Sequence, residues 1–150
     1  MEWVPLVTDA DIAALQRAVF DFHDAVLCEV HVSFGTHVEP GGSTVFDPQA
    51  AMTVHLLFQL PANTFNRPWG VELRFDQAVA AFFDACPPDC FPTILGASIE
   101  RRDDLYYWGV IEDDIGTTKS PWVGGRRVSW RAQDTWIGDT PRYGPAAREG

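Results

Sequence analysis

Apolar residues recur at Ile12, Leu15, Val19 and Phe22, the spacing of one face of a helix. Thr8 stands just ahead of this run, where its hydroxyl can cap a free backbone N–H. Asp9 and Asp11 complement the positive end of the helix dipole. The spacing predicts a helix over residues 9–22.

From Val26 the period becomes two. Val26, Cys28, Val30, Val32 and Phe34 alternate with Leu27, Glu29, His31 and Ser33. The first set is expected to face the core, with Cys28 a small core residue, and the second to face outward. Met52, Val54, Leu56, Phe58 and Leu60 alternate in the same way with Thr53, His55, Leu57 and Gln59. Val71, Leu73 and Phe75 alternate with Glu72, Arg74 and Asp76, a third strand. Residues 78–85 fit either a helical turn or a buried strand. Residues 93–100 and 105–112 flank Arg101-Arg102-Asp103-Asp104 as a hairpin, and a last strand covers about 126–132. Residues 35–48, 61–70 and 116–125 carry the Gly and Pro signals of loops.

One N-terminal helix followed by about six strands, joined by loops rather than crossover helices, implies an α+β, mainly β fold. The expected object is a curved antiparallel sheet or partly open barrel with the helix packed on it. A chain of 150 residues suits one domain, expected over residues 1–140, with residues 141–150 a frayed tail.

Charge narrows the possible partners. The net charge is −10, with ten acids against three bases in residues 1–76 and three acids against six bases in residues 116–150. Such a chain is poorly suited to neutralising nucleic-acid phosphates or to binding an anionic membrane. If it has a macromolecular partner, a basic protein is favoured. Self-association through unpaired sheet edges is the other open route to a partner. The opening Met1-Glu2-Trp3-Val4-Pro5 lacks the basic region and apolar core of a secretory leader. Three cysteines make a poor disulfide framework, so a reduced, cytoplasmic protein is expected.

Candidate chemistry gathers in two places. On the polar side of the first two strands, Glu29, His31 and His55 converge if the strands pair in register. These are valid ligand types for a divalent metal and a possible acid–base set, or simply a solvated or contact face. A one-residue slip would separate them. His23-Asp24 sits at the helix-to-strand turn. There Asp24 can accept backbone hydrogen bonds and His23 can donate to freed helix carbonyls, or the pair can serve as contact residues. Cys86 and Cys90 have zinc-like spacing but no second ligand pair follows, and no nucleotide, calcium or metalloprotease motif occurs. No cofactor is expected. Aromatics are plentiful at 13%, and Trp108 is a candidate contact residue if its ring is exposed rather than in the core.

The run Phe22-His23-Asp24-Ala25-Val26-Leu27-Cys28-Glu29-Val30 resembles a segment of small bacterial proteins of uncharacterised function that show Phe-His-Asp-Ser followed by alternating apolar residues and an acid. Leu56-Leu57-Phe58-Gln59 and the Tyr107-Trp108 strand add to the likeness. That group is similar to immunity proteins of bacterial polymorphic toxin systems. Here Ala25 replaces the usual Ser. The resemblance implies a small, sheet-rich, cytoplasmic toxin neutraliser and assigns no catalytic residue.

Two readings therefore stand. One is a non-enzymatic binding protein with an acidic, aromatic-rich surface, its contact residues drawn from His23, Asp24, Glu29, His31, His55 and Trp108. The other is a small metal-dependent enzyme or ligand-binding barrel built on Glu29, His31 and His55.

Overall fold

A computed structural model describes residues 2–45, 52–61, 68–84 and 93–134. In chain order the elements are β1 (Val4–Leu6), α1 (Asp9–Val19), β2 (Ala25–Phe34), β3 (His37–Val38), β4 (Thr44–Val45), β5 (Met52–Gln59), β6 (Gly70–Phe82), β7 (Thr93–Ile94), β8 (Ser98–Arg102), β9 (Leu105–Gly109) and β10 (Trp122–Gln133). Cys86, Cys90, Trp136 and the tail 141–150 lie outside the described residues.

The helix begins as the sequence predicts. Thr8 Oγ1 accepts from the Asp11 N–H, and the Asp11 carboxylate accepts from the Thr8 N–H, a reciprocal capping box. Ile12, Leu15 and Val19 are buried. The α-helix stops at Val19, and residues 20–22, all with positive φ, form a left-handed turn that delivers Phe22 into the core.

All strand pairs are antiparallel. The main sheet has eight strands, ordered β7-β2-β5-β6-β10-β9-β8, with β1 paired to β10. Its first and last strands, β7 and β8, are neighbours in sequence, joined only by Leu95, Gly96 and Ala97. A sheet whose ends are tethered so closely must curl back on itself, and the result is a half-barrel with one helix packed on it. β3 and β4 form a separate small hairpin within the predicted 35–48 loop.

The interior is filled by rings. Phe22 lies 5.0 Å from Phe58 and 6.3 Å from Trp108, and Phe58 lies 5.2 Å from Trp108, centroid to centroid. Leu15, Leu56, Leu73 and Phe75 complete the packing. Each such side chain, fully buried, stabilises the fold by about 1.5–3 kcal/mol.

One open assignment is settled and two expectations change. Residues 78–82 are strand, because they extend β6 and pair with Trp122–Gly125 of β10. β10 starts four residues earlier than predicted, since Gly124 and Gly125 are strand residues rather than loop punctuation. β1 was not foreseen; three residues give too short a run for any period to register.

Candidate functional site

β2 is the element on which the candidate residues meet. It pairs with β5 from Val26↔Gln59 and Leu27↔Phe58, then slips by one residue, resuming at Glu29↔Leu57 and His31↔His55. Cys28 is the extra residue of a β-bulge. The bulge inverts the alternation in the first part of the strand. Leu27 packs on the core, and Cys28 is exposed, not a core residue.

Beyond the bulge, one face of the sheet is polar. Register aligns His31, His55, Arg74 and Ser129 in one row, and Glu29, Leu57, Glu72 and Arg131 in the next. His31 and His55 are thus direct cross-strand neighbours, with ring centroids 6.2 Å apart. His55 Nδ1 lies 2.9 Å from Glu72 Oε1. The other Glu72 oxygen accepts from Arg131 at 2.6 Å and from Gln133 at 3.3 Å. Glu72 is buried, and three side chains hold its carboxylate there, as a buried charge requires.

Trp3, just ahead of β1, covers this network. The Arg74 and Arg131 guanidinium carbons lie 4.5 and 4.6 Å from its ring centroid, and its ring meets His55 edge-on at 5.8 Å. Arg74 also pairs with Asp76 at 3.2 Å. The cations and carboxylates of the face are matched to one another. Sequence reasoning found His31 and His55 by alternation but missed Trp3, Glu72, Arg74 and Arg131, whose rows could be known only from the register of β6 and β10. Among the described residues no group of three or more His, Cys, Asp or Glu side chains is placed to hold a metal ion, so Glu29, His31 and His55 share a face without forming a ligand set.

The opposite face is apolar, and it is unevenly covered. Val30 shares a row with Leu56 and Leu73, and Val32 shares one with Val54 and Phe75. The residues on β5 and β6 are fully buried, whereas Val30, Val32 and Phe34 are 38%, 40% and 69% exposed. These three were expected in the core. They point to the core side of the sheet, while the helix makes its larger contacts with β1 and β8. On its outer edge β2 is paired only at Ala25 and Val26, to β7, among the described strands.

The sequence around it carries one sign of charge. No Lys or Arg occurs between Arg17 and Arg67, while Asp21, Asp24, Glu29, Glu39 and Asp47 fall in that interval. No family model matches the chain, and no curated protein or solved structure is significantly similar to it.

The turn before β2 holds the remaining candidates. His23 Nδ1 lies 2.9 Å from Asp24 Oδ2, and both side chains are about half exposed. The expected side-chain capping is replaced by backbone bonds: the His23 N–H donates to Phe20 O and the Asp24 N–H to Ile94 O. Trp108 is fully buried between Phe22 and Phe58, so it belongs to the core and not to a contact surface. No helix among the described residues is long and apolar enough to cross a membrane.

Proposed function

We propose that the chain is a non-enzymatic binding protein that captures a basic protein partner along the exposed apolar row of β2. The observation that carries this reading is the exposed apolar row of Val30, Val32 and Phe34 on the core side of β2. An extended segment laid along β2 would cover the row with its alternate side chains. The absence of any lysine or arginine in the surrounding stretch favours a segment whose other side chains are basic, and the overall charge of −10 would hasten its approach. A cationic toxin domain is one such partner, and its neutralisation is the specific role the Phe-His-Asp resemblance suggests.

The polar face supports a different role. Two guanidinium groups lie against Trp3 and Glu72 is bonded by three side chains, which is how a lock on β1 is built. His31 and Glu29 lie on the other face of β2 and would line the flank of the captured segment.

A photo-crosslinking residue at position 34, introduced in the source cells, tests the proposal. The expected product joins position 34 to a lysine- or arginine-rich segment of another protein. Its yield should fall with added salt and vanish in a Val32→Lys background, because a charge in the middle of the row opposes both its burial and a cationic partner. A cross-link to a second copy of the chain, or a product indifferent to both salt and Val32→Lys, would overturn it.

A further inference from the structure

Ser129 lies on the polar face of β10 and is 7% exposed, and its Oγ has no hydrogen-bond partner. The sheet register explains why. Its neighbours on the same face of β10 are Arg127 and Arg131. Across the strand pairs it faces Arg74 on β6 and Pro5 on β1. A guanidinium group only donates, and the proline ring does neither. A hydroxyl ringed by three cations and a proline has no side chain to donate to. Such a buried group calls for an acceptor that the chain itself does not supply.

The cations around it have donors left over. Arg74 donates through Nε to Asp76, and Arg131 through Nε and Nη2 to Glu72. Arg127 is exposed and forms no ion pair among the described residues. Three guanidinium groups therefore stand against the Glu72 and Asp76 carboxylates, a local positive excess in a chain of net charge −10. The Trp3 ring lies against the Arg74 and Arg131 guanidinium groups, and an apolar cover strengthens the field beneath it.

We infer that Ser129 marks the centre of a binding site for a small tetrahedral oxyanion, a phosphate or phosphate monoester. The Ser129 hydroxyl would donate to one oxygen, and Arg74, Arg127 and Arg131 to the others. Donors arriving from two strands suit a tetrahedral group better than a flat carboxylate, which a single guanidinium fork can satisfy. Ser129 Oγ is out of contact with solvent, so the anion enters as the Trp3 ring swings aside. The acidic remainder of the chain favours a small ligand over a polyanion, whose length would bring it against that charge. The site is on the other side of the sheet from Val30, Val32 and Phe34 and does not rest on the basic-partner reading.

Inorganic phosphate is the probe, titrated into the full chain while backbone and indole NMR shifts are followed. Chloride at matched ionic strength is the control, and a single-stranded oligonucleotide is the polyanionic source of the same group. Phosphate should give saturable shifts at Trp3, Arg74, Ser129 and Arg131 that chloride does not give. Ser129→Ala should weaken phosphate binding about tenfold, the loss of one hydrogen bond to an anion. Arg127→Gln should weaken it about threefold, the loss of one exposed charge. Phosphate should raise the Tm of the wild type more than that of Ser129→Ala. Without phosphate, Ser129→Ala should melt no lower than wild type, because it removes a buried hydroxyl that has no partner. Equal shifts from phosphate and chloride would reduce the effect to screening and overturn the site. Unweakened phosphate binding by Ser129→Ala would overturn it too, as would a lower Tm of that variant without phosphate. Tighter binding of the oligonucleotide than of phosphate would overturn the assignment to a small ligand.

Discussion

His55 and Glu72 are diagonal neighbours across β5 and β6, with Nδ1 of the imidazole 2.9 Å from Oε1 of the carboxylate. The contact ties the only candidate histidine on β5 to a buried anion, and through that anion to Arg131 on β10. Arg131 in turn lies on Trp3, so four separate segments share one charge-matched cluster. Its energetic weight sits on Glu72, because every other member touches Glu72 or a partner of it.

Glu72→Ala should therefore be far more damaging than loss of any one neighbour. It leaves His55, Arg131 and Gln133 without their shared acceptor on a largely buried face, at a cost of about 3 kcal/mol. Glu72→Gln keeps an acceptor oxygen and should cost clearly less. Urea unfolding measures both, and an unchanged midpoint for Glu72→Ala would show the cluster to be energetically idle.

Much of this arrangement could be read from the sequence, and the remainder could not for identifiable reasons. The helix start, the mainly antiparallel class and the shared polar side of His31 and His55 follow from periodicity, because Thr8, the Ile12–Leu15–Val19 stripe and the alternation of β5 are strong local signals; that the two histidines are direct neighbours is set by register. The direction of Val26 and Cys28 did not follow, because a bulge adds one residue without leaving any mark in the pattern. Glu72, Arg74 and Arg131 were visible as polar strand residues, but their convergence depends on register between strands far apart in sequence. The exposure of Val30, Val32 and Phe34 was hidden for another reason. Alternation specifies which side a residue faces, not whether anything covers that side.

The capping box carries a pH dependence whose sign is fixed. Hydrogen bonds from the Thr8 backbone, the Thr8 hydroxyl and the Val7 backbone hold the Asp11 carboxyl below its ordinary value of 3.8. A carboxyl with a lowered folded-state pKa stabilises the fold above its unfolded-state value, and that contribution is lost as pH falls through the folded-state value. Acid unfolding of the wild type should thus lose part of its stability below about pH 4, and Asp11→Asn should flatten this portion of the curve. Thr8→Ala should cost about 1 kcal/mol at neutral pH by removing the cap. Circular dichroism at 222 nm across a pH series reads both, and a Thr8→Ala curve superimposable on wild type would dismiss the cap as a contributor.

Cys28 should be a slow thiol despite its place on an exposed bulge. Desolvation is the largest influence on it and pushes its pKa above the ordinary 9.0, a backbone hydrogen bond from Gln59 opposes the rise, and the Glu29 carboxylate adds to it. Its Sγ is turned back toward Val26 O, at 3.6 Å. Because the thiolate is the reactive form, alkylation by iodoacetamide should reach half its limiting rate only above pH 9. Glu29→Gln should bring that point to lower pH. A profile centred well below 9 would mean that the sulfur is solvated and the bulge more open than described.

Gly124 is the glycine of β10 whose replacement the fold should tolerate least. It sits opposite Tyr107 of β9, and a Cβ built on it would stand 2.5 Å from Tyr107 Cε1 and 2.8 Å from Cδ1. The ring lies flat across the glycine, filling the place of a side chain, and packs at 6.4 Å against Trp122. To admit a methyl group the ring must swing out and give up that contact, so Gly124→Ala should destabilise by about 1–3 kcal/mol. The clash has a single source, which makes it testable by a second substitution. In a Tyr107→Ala background the added methyl group meets no ring, and Gly124→Ala should there be neutral or stabilising, since alanine loses less chain entropy in a strand than glycine. A double-mutant cycle by thermal unfolding measures the coupling. Equal costs in both backgrounds would place the constraint in the backbone of β10 itself and not in the ring that covers it.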